Sequence, residues 1–488
     1  MTHTIELDGQ HFAVAELAGM VATPVAVTVP DSAMEQAAAS HDWAVRLRGI
    51  RPIYGRSTGV GANREVLIEP SVEAAQALLS SHATASGPVR SPERVRAMLL
   101  IRLNQLCAAG SGVSPDVITG LARLISDDAL PVIREHTGVG TSDLSALATV
   151  ALAIQEHSST WRAEPLLFGP DDALPFLSSN AAALADTGLG LSRLTQAARS
   201  GLAVAALSFS ALDGNLEAFS RAVERATPML GARATCRAMR ALIGSRASSA
   251  LRIQDPYGLR ALPQSHGVLL DSLAALRDIV DAYANAASEN PVILPDGEIA
   301  HHGAFHASYL AVAADTVRNS AVQSAQLALH RLTYLSEPGH TGLTPFLGDG
   351  TPGSSGIMLV EYVAAAALGD LRAAATPAAT QTTNVSRGVE DTASFASLAA
   401  RQLLVTADSY ELAVAAELLA GVRANRMRAD DLDGVLRSVL EACVPLPDAR
   451  HDRDLTGDID IARGLLAGLV DFAPIDLPDS SWENHLDQ

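Results

Sequence analysis

From about residue 71 onward, apolar side chains recur every three or four positions, the period of a helix that buries one stripe and wets the other. The earliest part differs: residues 1–65 mix turns with short β-type runs such as 25–29. A helix start is marked by Ser91-Pro92-Glu93, where Ser91 can cap the first turn and Pro92 suits its first position. That helix runs to Ala109, and Gly110-Ser111-Gly112 ends it. Residues 130–145 form a loop of Gly, Ser and Thr, followed by an apolar helix over about 144–154. Residues 165–190 are richer in Pro, Gly and Asp and read as loop. Five long helical segments follow, approximately 195–243, 261–288, 305–336, 356–376 and 393–424, separated by turn signals such as Asp255-Pro256-Tyr257-Gly258 and Asn290-Pro291. Residues 444–488 become acidic, proline-containing and irregular. No fixed-period repeat is visible.

Long helices alternating with loops that hold the unusual polar residues predict a mainly α fold: a long-helix bundle with functional loops at its ends and a small mixed N-terminal region. Residues 1–190 then form the N-terminal region that holds the loops around Tyr54 and 140–142, and 191–488 the central helices and C-terminal region of one structural unit. Composition sets what fills the core. Hydrophobic residues are 48% of the 488 but aromatics only 4%, so the core is built from Ala, Leu and Val, and alanine favours closely packed helices. Net charge is −19, with no cluster of Lys and Arg, which argues against the basic footprint of a nucleic-acid binder. Cys107, Cys236 and Cys443 are scattered, odd in number and without metal-ligand spacing, as expected of buried thiols in a reducing cytoplasm. The N-terminus lacks the charged-then-apolar pattern of a signal peptide. Apolar runs such as 363–368, bounded by Glu361 and Asp370, fall far short of the roughly 20 residues a bilayer span requires. A cytoplasmic protein with no membrane partner is expected.

Candidate chemistry sits in the loops. In chain order they hold Tyr54-Gly55-Arg56-Ser57-Thr58-Gly59-Val60-Gly61, then Asn104 with Gly110-Ser111-Gly112-Val113, then Gly244-Ser245-Arg246. Gln254-Asp255-Pro256-Tyr257-Gly258-Leu259-Arg260 follows, with Pro263-Gln264 and Gly267. Glu289-Asn290-Pro291, Gly303-Ala304-Phe305-His306 and Val389-Glu390-Asp391 complete the set. These motifs, in this order over about 40–470, resemble those of the aromatic amino acid lyases: the histidine, phenylalanine and tyrosine ammonia-lyases and related aminomutases. The resemblance implies a long-helix bundle of the ammonia-lyase type and a homotetramer whose active sites combine several chains. It also implies helix N-termini aimed at the reacting centre, where they stabilise negative charge developing in an elimination.

By the same resemblance, Tyr54 corresponds to the tyrosine that removes a proton beside the amine-bearing carbon. A free phenol ionises near about pH 10, so a base at neutral pH must be depressed by its surroundings. A buried tyrosine capping a turn is the plainer alternative. Arg260 corresponds to the arginine that grips the substrate carboxylate through two parallel hydrogen bonds, with a structural ion pair as its alternative, and Tyr257 to a second active-site tyrosine. Glu390 matches an acidic residue typical of the histidine ammonia-lyase branch, able to bind an amine or act as a second acid or base. Ser81-His82 resembles the ring-selecting pair of that branch; His82 can hydrogen-bond a polar ring or hydroxyl, or be a satisfied core histidine. Phe305 and Phe209 are the remaining substrate-binding candidates, and Asn104 and Asn290 tie loops together. His301, His302 and His306 lack a spaced carboxylate or cysteine partner, so no metal is expected. Residues 351–356, Thr-Pro-Gly-Ser-Ser-Gly, lack the lysine of a phosphate-binding loop.

The departures concern one group. The family carries Ala-Ser-Gly just before Asp-Leu and cyclises it. The third residue's nitrogen attacks the first residue's carbonyl and the serine loses water, leaving 4-methylideneimidazole-5-one, an electrophile. Here Gly140, Thr141 and Ser142 precede Asp143-Leu144. Ser142 adds a Cβ where glycine permits tight backbone approach, and Thr141 gives a bulkier ethylidene. A gapped alignment instead pairs Thr141-Ser142 with Ala-Ser and leaves Asp143 third. Either alignment damages ring closure. The family's Asn-Gly-Thr-Gln stretch is absent, with Ala206 in place of the asparagine and Phe209 in place of the glutamine, and Gly-Asn-Phe-His has become Gly303-Ala304-Phe305-His306. No cofactor is therefore expected, the self-derived electrophile included. The favoured reading is a secondary-metabolic enzyme on the lyase scaffold. It eliminates from, or adds or cyclises onto, a small carboxylate- or amine-bearing substrate. The alternatives are an ammonia-lyase or aminomutase forming a modified electrophile, and a non-catalytic binding or assembly homologue.

Overall fold

Apolar stripes of Ala, Leu and Val make most of the chain helical. A computed structural model describes residues 4–244, 252–428, 432–473, 475 and 477. The longest helices are Ala396–Arg428, Ala181–Ala211, Ser308–Ser336 and Leu262–Ala284, with Met358–Ala374, Pro92–Cys107 and Leu144–Ser158 among the shorter ones. Strand content among the described residues is three two-stranded pairs: Thr4–Glu6 parallel to Ala26–Thr28, Ser86–Val89 antiparallel to Arg134–His136, and Val292–Ile293 antiparallel to Ile299–Ala300.

Two compact units share the described residues. The first comprises Met1–Ser192, Arg277–Ala314 and Pro377–Arg401, and the second Arg193–Leu276, Asp315–Thr376 and Gln402–Gln488. A division at 190/191 follows sequence order, whereas these units interleave, because residues 277–314 and 377–401 return to the first.

In the first unit, helix Pro92–Cys107 is buried continuously from Val95 to Cys107. Its Arg102 guanidinium, fully buried, donates to Glu289 Oε1 at 2.7 Å and to the carbonyls of Pro175 and Phe176 at 2.8 and 3.1 Å. Asn104 accepts from Gly9 N–H and donates to Ala284 O and Asn285 Oδ1. The second unit buries an ion pair in which Arg331 Nε and Nη2 donate to the two oxygens of Glu417 at 2.6 and 2.7 Å. Beside it, Ser324 Oγ bonds both His266 Nδ1 and Tyr410 Oη; burial pushes that histidine down to about 3 and that phenol up to about 12. All three cysteines are buried free thiols. Among the described residues, no helix is long and apolar enough to cross a membrane.

Several segments differ from the sequence reading. Asp31–Arg48 is an 18-residue helix inside the region read as mixed. Residues 165–190 contain helix Ala173–Leu177 and the start of Ala181–Ala211. The 195–243 segment is broken into pieces: two short helices, Leu216–Phe219 and Arg221–Ala226, lie between the end of Ala181–Ala211 and Leu230–Ile243. Thr456–Leu469 is helical within the tail read as irregular. Ser91 occupies the N-cap position with extended backbone, but its side chain makes no cap bond there.

Candidate active site

The Tyr54 loop is held from beneath by its own Arg56. That buried guanidinium donates to Asp171 O and Oδ1 at 2.8 and 3.2 Å and to Ser111 O at 2.7 Å, joining two of the sequence motifs. Tyr54 Oη accepts from Gly61 N–H at 2.8 Å, so the phenol does cap its own turn. Tyr54 N–H donates to His301 Nε2 at 3.2 Å, and burial holds that histidine below its ordinary value.

The protonation state of Tyr54 departs from what a resting base needs. Burial pushes the phenol up, the nearby Glu390 carboxylate pushes the same way, and the Gly61 N–H and Arg64 oppose both. Within the chain the phenol is therefore held as a proton donor. A raised folded-state value favours the neutral phenol in the native protein. Its stabilisation is complete below the unfolded value and disappears as pH rises through the folded one. Wild type is expected to lose stability relative to Tyr54→Phe as pH rises above about 10, the unfolded value, toward the raised folded one. Denaturation midpoints of the two proteins across that window check this.

Glu390 is carried on a loop tied to the Tyr54 loop: Ser386 Oγ accepts from Ala62 N–H at 3.0 Å, and Val385 N–H donates to Glu390 O at 3.0 Å. Glu390 Oε2 accepts from Thr141 Oγ1 at 3.0 Å. The altered triad and the carboxylate are thus in direct contact.

The triad loop is anchored at every residue from 138 to 143. Ser397 Oγ donates to Gly138 O, Phe395 N–H to Val139 O and Ser394 Oγ to Gly140 O, each at 2.8 Å. Ser142 N–H donates to Asn180 Oδ1 at 3.3 Å, and Asp143 N–H to Ser179 O at 2.7 Å. Asp143 Oδ2 in turn accepts from Ala183 N–H at 2.9 Å, and burial pushes this carboxyl up. The N-termini of helices Leu144–Ser158 and Ala181–Ala211 therefore both meet residues 142–143.

Two backbone angles define the loop. Gly140 has φ +91°, and a Cβ there would meet Ser394 Oγ at 2.2 Å and Ala396 N at 2.7 Å. Ser142, only 4% exposed, has φ +86°, a left-handed conformation that penalises any side chain. The glycine stands first and the side chain third, the reverse of Ala-Ser-Gly. Ser142→Gly is expected to stabilise the protein by about 1 kcal/mol, relief of strain outweighing the entropy of a new glycine. An unchanged thermal midpoint would count against strain at this position.

The first unit also carries the candidates Ser81, His82, Asn290 and Phe305. Ser81 Oγ and His82 Nδ1 are 3.1 Å apart, with His82 Nδ1 also 2.9 Å from Leu78 O. Both line a mainly apolar cleft of about 510 Å³ together with Gly59, Val60, Ile68 and Leu78. Phe305 is half-buried, and its carbonyl accepts from Asn180 Nδ2 at 2.5 Å. Asn290 N–H donates to Ser178 Oγ, and Asn290 Oδ1 accepts from His302 N–H, each at 2.9 Å.

The second unit carries Tyr257 and Arg260 on a single helical turn, Tyr257–Arg260. Arg331 Nη1 donates to Gly258 O at 3.1 Å, so the buried ion pair also fixes this turn. The Arg260 guanidinium stacks over the exposed Tyr257 ring at 4.4 Å and donates to Gln254 Oε1 at 3.0 Å. Its Nε is buried without a hydrogen-bond partner among the described residues. Arg260, Gln254, Asp255 and Gln264 line a pocket of about 260 Å³. Phe209 belongs elsewhere: it is 2% exposed, its ring lies 5.0 Å from that of Phe219, and Gly214 packs on its edge. The structure gives it a core-packing role in place of substrate binding, because no face of the ring is left for a ligand.

Sequence reasoning missed Asn180, Ser394 and Ser397, whose partners lie 38–259 positions away. The 351–356 loop has its donors filled by Asp452, which accepts from Ser354 Oγ, Ser355 N–H and Gly356 N–H. Ser245 and Arg246 of the Gly-Ser-Arg motif lie outside the described residues.

Fold and loops together define a lyase scaffold, and a model of the aromatic amino acid lyases matches residues 12–443. The chain belongs to that family. It is similar to the histidine ammonia-lyase of Geobacillus thermodenitrificans, 31% identical over 429 residues and covering 83% of each chain. It is also similar to that of Streptomyces avermitilis, 30% identical over 407 residues, 77% of this chain and 79% of the relative. In fold it is similar to tyrosine aminomutase from Streptomyces globisporus, at TM-score 0.89 and 24% identity over 97% of this chain and 100% of that one. Ergothionase from Treponema denticola, an ergothioneine-degrading enzyme, has TM-score 0.89 and 19% identity over the same shares.

Proposed function

We propose that this chain is an acid–base enzyme on the lyase scaffold that works without the backbone-derived electrophile. The observation that carries the reading is the Gly140–Ser142 backbone. The residues present do not fit 4-methylideneimidazole-5-one. Closure asks for a side-chain-free third residue, and Ser142 carries a Cβ at φ +86°. The family's first-position alanine has no room either, since its Cβ would fall 2.7 Å from the Ala396 backbone nitrogen.

The reaction is elimination from, or its reverse, conjugate addition or cyclisation onto, a small carboxylate- or amine-bearing substrate. An activated proton on the substrate itself removes the need for an electrophile. Tyr54, held protonated, delivers a proton to carbon in the addition direction; in the elimination direction the same oxygen takes it back once ionised. Glu390 is the second acid–base group. Arg260 anchors the substrate anion, and its unpartnered buried Nε supports that role, because an anion would satisfy the orphaned donor. Tyr257 stacks beneath it. The same proposal includes homotetramer assembly, a cytoplasmic setting and a place in secondary metabolism.

Intact mass tests this. The mass expected is that of the unmodified sequence, with no ammonia released from histidine, tyrosine or phenylalanine. Loss of two waters from the peptide holding residues 140–142 would overturn the reading. It would favour an ammonia-lyase or aminomutase with a modified electrophile, for which the 31% identity to a histidine ammonia-lyase speaks.

A further inference from the structure

The Thr141–Glu390 contact reverses the chemical sense of the site. Where the family places an electrophile, this chain places a hydroxyl whose proton already points at a carboxylate oxygen, 3.0 Å away. We propose that Thr141 is a nucleophile, with Glu390 as its general base, and that the site takes an activated acyl group, an ester or thioester, onto Thr141 Oγ1. The proposal rests on the reading that residues 140–142 stay an open chain, since ring formation would consume this hydroxyl.

The surroundings suit such a role. The loop does not drift: the carbonyls of Gly138, Val139 and Gly140 and the N–H groups of Ser142 and Asp143 are all held by hydrogen bonds. Thr141 lies between two left-handed residues, Gly140 and Ser142, on a sharp turn that projects its half-buried side chain toward Glu390. Its own N–H makes no hydrogen bond among the described residues. That donor, beside the N-terminus of the 15-residue helix Leu144–Ser158, is placed to stabilise an oxyanion formed at an attacked carbonyl.

The step balances within the residues named. Oγ1 bonds to the acyl carbon while its proton passes to Glu390 Oε2, and the carbonyl oxygen carries the negative charge of the tetrahedral intermediate. Collapse expels the alcohol or thiol, which takes its proton from Glu390 and leaves an ester at Thr141. Water or a nucleophilic acceptor then attacks the same carbon, giving its proton to Glu390, and Oγ1 departs and regains it. The ester also acidifies the adjacent α-carbon, where the proposed Tyr54 chemistry acts.

The test exposes the full-length protein to p-nitrophenyl acetate. A burst of nitrophenol of one equivalent per chain is expected, with one acetyl group on Thr141 by peptide mass spectrometry. Thr141→Ser keeps the label and Thr141→Val, of the same shape, loses it. Glu390→Gln slows the burst by about 10²-fold, the lower range for loss of a general base. No acetyl on Thr141 in wild type or Thr141→Ser, or equal acetylation of the Thr141→Val protein, overturns the proposal. The unreacted protein's mass separates the two readings. Two lost waters remove the parent function, whereas an unmodified chain with Thr141 unlabelled removes only the nucleophile.

Discussion

Replacing Arg331 by methionine is expected to cost about 3–5 kcal/mol, the penalty for leaving one partner of a buried ion pair alone. Among the described residues Glu417 would keep only the Ser208 hydroxyl, at 2.7 Å, as a side-chain donor in a fully buried position. The carbonyl of Gly258 would lose its donor in the same stroke, so the turn carrying Tyr257 and Arg260 would loosen. Two measurements separate these effects. The denaturation midpoint falls, and Arg331→Met combined with Glu417→Leu recovers much of the loss, since an apolar pair has no stranded charge. Anion affinity at Arg260 does not recover in the double variant, because the Gly258 tether is still gone. A double variant no more stable than the single one would show that the ion pair is not where the energy lies.

Tyr54→Phe is expected to lower kcat/KM by about 10²–10⁴-fold, the usual contribution of one positioned proton donor. The fold tolerates the change, since phenylalanine keeps the ring and, among the described residues, only Gly61 N–H loses its acceptor. A panel of α,β-unsaturated carboxylates and β-substituted acids supplies the substrates, and the reading is the ratio of wild type to variant on any that turns over. The loss falls on kcat more than on KM, because the phenol acts on the reacting carbon and not on the carboxylate. Full activity in the phenylalanine variant would remove Tyr54 from the chemistry.

Local signals in the sequence account for much of this molecule. The stripes near 261–288, 305–336 and 393–424 mark the helices Leu262–Ala284, Ser308–Ser336 and Ala396–Arg428, because each has enough turns for its period to show. The start of Ala181–Ala211 escaped notice for a physical reason. It is buried all round, so no polar face alternates with the apolar one, and its Gly188 looks like a breaker. That glycine is there for close approach: a Cβ would meet Val14 Cγ2 at 2.5 Å. The motifs around Tyr54, Arg260 and Glu390 were legible, since each is continuous in sequence. The direction in which Tyr54 is shifted was not, because it depends on burial and on Glu390, far along the chain. Nor was Phe209 assignable from its position in a motif, because its partner Phe219 lies beyond that motif.

The crowding at Gly140 acts as a ratchet. Installing alanine there by a single substitution drives a methyl into Ser394 and into the backbone of Ala396, and trimming Ser394 clears only the first obstruction. A path back to Ala-Ser-Gly is therefore ordered. The segment 394–396 has to shift before residue 140 can change, and until then any intermediate carrying alanine at 140 is less stable than the same chain with glycine there. Grafting the family's triad into this chain is for that reason a problem of backbone redesign on the opposite loop, and the three triad substitutions are its last step.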